Sequence, residues 1–308
     1  MIIGVIGAGA VGGYCGAMLK RAGHDVIFVA RGKHLDAMKE QGLLIHCDSG
    51  SFRVDGHFTN DVQDLNQADL ILFTVSSTDT RATAEKLLPL LKADSMILTL
   101  QNGVDNEEML TEWFGKARVF SGAAYLNVSL EAPGVIRQQQ LQSFMIGSLA
   151  EEAGKEQAEM IVHLFQQAGL ECQISMCILE EKWNKLIINA VFNPISALNS
   201  VTVGEILDNE KLRKTAERSL AEAVKIGTAL GIPIRQELID RFFIIAESAR
   251  HHKTSMLQHR EQGKKMEIES LCGYLVHKGR ALGIDTSVLS STYQALLLYE
   301  GNDENEIS

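Results

Sequence analysis

The chain predicts an α/β fold, an N-terminal Rossmann-type doubly wound sheet followed by an all-helical C-terminal domain. Three observations carry this. A short apolar run, Ile2–Ile6, leads straight into Gly7-Ala8-Gly9-Ala10-Val11-Gly12; strand-like runs then alternate with helical segments through the first half; and strand signals stop near residue 178. A length of 308 residues exceeds what one hydrophobic core usually serves, so two domains are expected, residues 1–176 and 177–308.

In chain order, the first strand is followed by glycines in GxGxxG spacing. Gly7 permits a tight turn, Gly9 lets the backbone approach a pyrophosphate, and Gly12 lets the next helix pack closely with its free N–H groups and dipole toward the phosphates. Gly7, Ala8, Gly9, Ala10, Val11 and Gly12 are therefore candidate dinucleotide-binding residues. Residues 26–30, 70–75, 96–100 and 119–125 read as further strands of the sheet. Residues 43–47 and 51–58 flank Asp48-Ser49-Gly50 and predict a small peripheral hairpin. Residues 134–140 and 143–147 predict another antiparallel pair, before a helix near 155–167 and a strand near 170–175. Helices are expected over 180–198, 212–230, 236–249, 265–282 and 288–299, and the acidic tail 301–308 is expected to fray. This order suggests an active site between the two domains.

Composition narrows the class. A net charge of −10 without a run of five basic residues argues against a nucleic-acid surface. No apolar stretch has the length to span a bilayer, and the first strand is too short for a signal-peptide core, so no membrane partner and a cytoplasmic location are expected. The cysteines (Cys15, Cys47, Cys172, Cys177, Cys272) are scattered without a CxxC pair, as suits reduced thiols. His251, His252 and His259 lack carboxylates or thiolates at ligand spacing, so no metal is expected. The apolar helix faces of the second half suit either a core or a homodimer.

Two stretches carry chemistry. The second strand ends in Ala30-Arg31-Gly32-Lys33, where NAD-preferring sheets place an acid for the ribose hydroxyls. Arg31 can pair with a 2′-phosphate through its planar fork and Lys33 adds charge nearby, so NADP is favoured over NAD, although both also suit ordinary solvated loop charges. In the second half, Lys185, Asn189 and Asn193 recur every fourth residue and project from one side of an otherwise apolar helix. An ammonium and two amides buried without partners are costly, so the stripe faces polar groups, water or a ligand, or else forms a polar seam between helices. Pro194 disturbs the preceding turn.

With these landmarks the sequence resembles the ketopantoate reductases, or 2-dehydropantoate 2-reductases, nearly end to end. The resemblance rests on the glycine turn with Arg31, the Gln101-Asn102-Gly103-Val104 turn after a strand, the Lys185/Asn189/Asn193-Pro194 helix, Thr254-Ser255-Met256-Leu257-Gln258, and Glu267-Ile268. It implies reduction of a small 2-keto acid, ketopantoate to pantoate, by hydride from NADPH, on the route to pantothenate and coenzyme A. By resemblance, Lys185 is the general acid and Glu267 its carboxylate neighbour; Asn189 and Asn193 hold substrate oxygens; Ser255 meets the substrate carboxylate; and Asn102 lies at the nicotinamide ribose and the substrate. Three positions depart from the family pattern: Ser76 for a lysine, Val203 for an asparagine and His259 for an acid. They leave a reductase of another branched or aromatic 2-keto acid as the rival reading, and a non-catalytic NADP(H) sensor as the alternative of a different class.

Overall fold

Apolar strands from the first half form one continuous sheet. The computed structural model describes residues 1–306, with the side chains of residues 140, 141 and 301–306 outside the description. In chain order the first part contains β1 (Ile2–Ile6), α1 (Ala10–Arg21), β2 (Asp25–Val29), α2 (Gly32–Gln41), β3 (Leu43–Cys47), β4 (Gly50–Val54), β5 (His57–Thr59), β6 (Leu70–Phe73), α3 (Thr80–Leu87), β7 (Met96–Thr99), α4 (Asp105–Phe114), β8 (Val119–Ala132), β9 (Val135–Ser148), α5 (Lys155–Gln167) and β10 (Cys172–Ile174). The strand order is β4-β3-β9-β8-β7-β6-β1-β2-β5, with β10 also paired to β9. From β5 through β2, β1, β6 and β7 to β8 every pairing is parallel.

A parallel sheet has to be covered on both faces, which explains why β6 (Leu-Ile-Leu-Phe) is buried at every position. One face packs Tyr14, Cys15 and Leu19 of α1 and Phe165 of α5. The other packs Ala84 and Leu87 of α3 with Leu110 and Phe114 of α4. Helices on both faces of a parallel sheet make the doubly wound architecture expected.

Two expectations need correction. The hairpin is not a peripheral appendage: β3 pairs with β9 as well as with β4, so it extends the sheet at one end. Its expected second arm divides at Asp55-Gly56. The chain leaves β4 there, and β5 pairs with β2 at the opposite edge, where the Phe58 ring lies 5.2 Å from that of Phe28. The antiparallel pair expected within 134–147 is a single strand, β9, running against β8. Its register jumps from Leu126 opposite Gln142 to Asn127 opposite Gln139. This bulge interrupts the alternation of side chains, which made one strand read as two.

The second part is helical: α6 (Ile178–Asn199), α7 (Val203–Asp208), α8 (Glu210–Ala229), α9 (Gln236–Ser248), α10 (Ser255–Glu261), α11 (Tyr274–Ala281) and α12 (Ser287–Glu306). Its core includes Leu186, Ile187 and Val191 of α6, Leu220 and Ile226 of α8, and Leu289 and Leu296 of α12. Buried Glu222 accepts the backbone N–H groups of Val288 (3.0 Å) and Leu289 (2.9 Å), satisfying the first turn of α12. The helix expected over 265–282 starts later. A π-helical turn, Glu269–Gly273, leads into α11, and Glu267 lies just ahead of it in non-helical chain. The helix α12 runs through residue 306; the rest of the acidic tail expected to fray lies outside the described residues. Among the described residues no helix is long and apolar enough to cross a membrane.

By its contacts the chain divides into two compact units, residues 1–101 with 106–181, and residues 102–105 with 182–308.

Candidate active site

Of the candidate cofactor residues, those from Gly7 to Gly12 and Arg31 lie in the sheet unit, whereas Asn102 lies with the candidate substrate and catalytic residues in the helical unit. In the sheet unit, each glycine of the turn meets a different demand. Gly7 has φ +86°, the left-handed region, and a Cβ there would lie 2.7 Å from the Val75 backbone nitrogen. A Cβ on Gly12 would lie 2.1 Å from the Thr74 hydroxyl and 2.7 Å from the Gly7 carbonyl. At Gly9 the nearest atom would be 3.9 Å away, so the protein's own packing does not require glycine there. Gly9 is exposed and opens α1, whose first turn has no side-chain cap. An open approach to uncapped N–H groups suits a phosphate group of a dinucleotide.

Arg31 follows β2 and its side chain is 89% exposed. Its guanidinium donates to the Asp79 carboxylate at 3.1 Å, a partner 48 residues away that sequence reading did not identify. Nearby, the Thr74 hydroxyl donates to the carbonyls of Ile6 (3.1 Å) and Gly7 (3.0 Å), locking the turn to the end of β6.

In the helical unit, Asn102 donates from Nδ2 to Glu267 Oε2 at 2.9 Å, joining two residues 165 positions apart. The loop is held by Ser270, which donates to Asp105 at 2.8 Å. Gly103 has φ +81°, and a Cβ on it would lie 2.7 Å from the Ser270 carbonyl, so this close approach to the π turn requires glycine. On α6, Lys185 and Asn189 are half-buried and Asn193 is buried. The Asn193 amide reaches the Ser255 hydroxyl at 3.5 Å, the outer limit of a hydrogen bond. Pro194, inside the helix, leaves the Ala190 carbonyl without its intrahelical donor. Asn184, beside Lys185 and buried, has neither amide atom hydrogen-bonded among the described residues. Burial lowers the pKa of His259, and the neighbouring Glu267 carboxylate opposes that shift.

Asn189 and Asn193 also line a cavity of about 220 Å³ within the helical unit, together with Phe192, Val203, Phe242, His252 and Thr254 among others. The positions of Phe242 and Thr254 here had no periodic signal. Thr254 belongs to the Thr254-Ser255-Met256-Leu257-Gln258 landmark, and its hydroxyl caps α10 by accepting the Leu257 N–H.

The family pattern described as Ketopantoate reductase PanE/ApbA matches residues 3–151, and that described as Ketopantoate reductase PanE/ApbA C terminal matches residues 177–300. The chain belongs to the ketopantoate reductase family. The 2-dehydropantoate 2-reductase of Archaeoglobus fulgidus is 32% identical over 285 residues, covering 92% of this chain and 92% of the relative. A crystal structure of a PanE/ApbA family ketopantoate reductase from Ralstonia eutropha matches with a TM-score of 0.93 and 29% identity, covering 99% of this chain and 100% of that one. The ternary structure of D-mandelate dehydrogenase with NADH and anilino(oxo)acetate has a TM-score of 0.91 at 20% identity, covering 99% and 100% of the two chains, a likeness of fold. The ketopantoate reductase family is one of oxidoreductases, and its two matched segments together contain every candidate site residue named above.

Proposed function

We propose that the protein reduces ketopantoate to pantoate with NADPH, on the route to pantothenate and coenzyme A. The observation that carries the reading is the stripe of half-buried Lys185 and Asn189 with buried Asn193, in a helical unit that also joins Asn102 to Glu267, within a chain of this family. When bound, NADPH supplies the hydride that reduces the keto carbon. The backbone from Gly7 to Gly12 would hold its pyrophosphate, Arg31 its 2′-phosphate and Asn102 its nicotinamide ribose.

The chain's own part is to place the keto acid and manage one proton. Asn189 and Asn193 donate amide hydrogens to substrate oxygens, fixing the keto carbon's orientation, and the Ser255 hydroxyl donates to the carboxylate. Negative charge then grows on the keto oxygen. The Lys185 ammonium stabilises that charge and delivers a proton from Nζ, which produces the hydroxyl of the product. Glu267, oriented by the Asn102 amide, favours the charged form of the lysine.

The test is Lys185→Ala, assayed for turnover and for NADPH affinity by fluorescence titration. The expected result is a fall in kcat of about 10²–10⁴-fold, as for loss of a positioned general acid, with NADPH binding little changed. A near-normal kcat would remove Lys185 from the acid role.

A further inference from the structure

Two carbonyls of the glycine turn are held by donors of the protein itself. That of Gly7 accepts the Thr74 hydroxyl at 3.0 Å and the Gly9 N–H at 2.6 Å, and that of Ala8 accepts from His34 Nε2 at 2.9 Å. His34 is half-buried in the first turn of α2, 26 residues beyond Ala8. Its other ring nitrogen is committed as well: Nδ1 accepts the Gly134 N–H at 2.9 Å, from the turn between β8 and β9. A backbone N–H can only donate and a carbonyl can only accept, so the ring is the neutral form protonated at Nε2. The turn that orients the ring is itself fixed. Gly134 is buried with φ +74°, a Cβ on it would lie 3.0 Å from the Ala37 Cβ of α2, and its carbonyl accepts the Leu44 N–H at 2.9 Å.

We propose that His34 is a positioning residue of the dinucleotide site: its Nε2–H holds the Ala8 carbonyl toward α2, so that a pyrophosphate meets the N–H groups of the turn and not the Ala8 oxygen. This rests on the nicotinamide cofactor of the reductase reading and deepens it. The Ala8–Gly9 peptide leads into α1, whose first turn has no side-chain cap. A planar peptide rotates as a unit, so any rotation that brings the Ala8 oxygen toward a phosphate also pulls the Gly9 N–H off the Gly7 carbonyl. The carbonyl's partial negative charge would then oppose the attraction that N–H groups at a helix start exert on an anion. His34 does for the Ala8 carbonyl what Thr74 does for that of Gly7. In the proposed function Arg31 meets the 2′-phosphate, which NADH lacks. His34 instead acts on the pyrophosphate, which NADPH and NADH share, so its loss weakens both alike.

The experiment measures Kd for NADPH and for NADH by fluorescence titration, with a thermal melt of each protein, in wild type, His34→Leu and His34→Gln. Leucine removes the donor, whereas the glutamine amide offers an N–H donor and an oxygen acceptor in place of the two ring nitrogens. His34→Leu is expected to raise both Kd values by about three- to tenfold, the size of one net hydrogen bond, and His34→Gln to restore both to within about twofold of wild type. Unchanged Kd values in folded His34→Leu, a loss confined to NADPH, or binding by His34→Gln as weak as by His34→Leu would each overturn the proposal. Should His34→Leu not fold, nitrogen NMR of wild type labelled at histidine decides, with the His34 signals assigned by their absence from His34→Gln. A ring protonated at Nε2 and bare at Nδ1 supports the proposal, and one protonated at Nδ1 overturns it. Wild-type protein that binds neither cofactor refutes the reductase reading, whereas equal binding by wild type and His34→Leu refutes the role of His34 alone.

Discussion

The three glycines of the first turn meet different demands, and a pair of alanine substitutions separates them. At Gly12 the added methyl would lie 2.1 Å from the Thr74 hydroxyl, 2.7 Å from the Gly7 carbonyl and 3.0 Å from Val5. The nearest neighbours include backbone and a hydroxyl holding two carbonyls, so they cannot move aside freely. Overpacking costs about 1–3 kcal/mol and loss of a Thr74 hydrogen bond about 1 kcal/mol more, so Gly12→Ala is expected to destabilise by about 2–4 kcal/mol. That is a fall in Tm on the order of 5–10 °C for a unit of this size. Gly9 has φ −78° and no atom closer than 3.9 Å to the added methyl. Gly9→Ala is therefore expected to leave Tm within about 2 °C of wild type. It places the methyl where a pyrophosphate would approach, and loss of one charge-assisted hydrogen bond is worth about 1.5–3 kcal/mol, or about 10–100-fold in the NADPH dissociation constant. Differential scanning fluorimetry and NADPH fluorescence titration on both variants read the two effects. Equal losses of Tm in both, or undiminished NADPH affinity in Gly9→Ala, would refute the division of roles.

Arg31→Ala is expected to raise KM for NADPH while leaving NADH use largely unchanged, whereas Asp79→Ala, which removes the carboxylate 3.1 Å from the guanidinium, is expected to lower KM for NADPH about two- to fivefold, less at high salt. Equal effects of Arg31→Ala on both cofactors would exclude the 2′-phosphate contact. Burial lowers the pKa of His259 and His252, so the folded chain holds these imidazoles neutral while the unfolded chain takes up protons near pH 6.5. Their contribution to stability is fully present above pH 6.5 and lost as pH falls through the lowered folded values; Tm against pH should therefore be less acid-sensitive in His259→Asn, and an unaltered slope would count against it. For the thiols, burial pushes Cys172 and Cys272 up to about 12 and raises Cys15 too, while Cys177 is exposed. Native titration with a chromogenic disulfide should label Cys177 quickly and leave these three for denaturant; several fast thiols would contradict their burial.

What could be read from the sequence follows from how local each signal is. The glycine turn, the central strands and the every-fourth-residue stripe on α6 depend on neighbours in the chain, and they appear where their periodicity put them. The misread elements depend on distant partners. β5 takes its place from β2, and β9 is one strand across a bulge because β8 runs beside it throughout. Similarly, the links from Asn102 to Glu267 and from Arg31 to Asp79 span 165 and 48 residues, and no spacing rule announces them. The start of the helix after Glu267 was misplaced because the π turn retains helical hydrophobic spacing while shifting the hydrogen bonds. The role proposed for Glu267 comes from the resemblance alone; charge patterning assigns that residue to a solvated face.

The most direct test of the central claim is loss of dihydronicotinamide absorbance when purified protein meets ketopantoate, run with NADPH and with NADH. Catalytic oxidation of NADPH that requires ketopantoate is expected, with a lower kcat/KM for NADH. Tight NADPH binding without oxidation, with ketopantoate or any other 2-keto acid, would contradict it and leave a protein that senses the cofactor without turning it over.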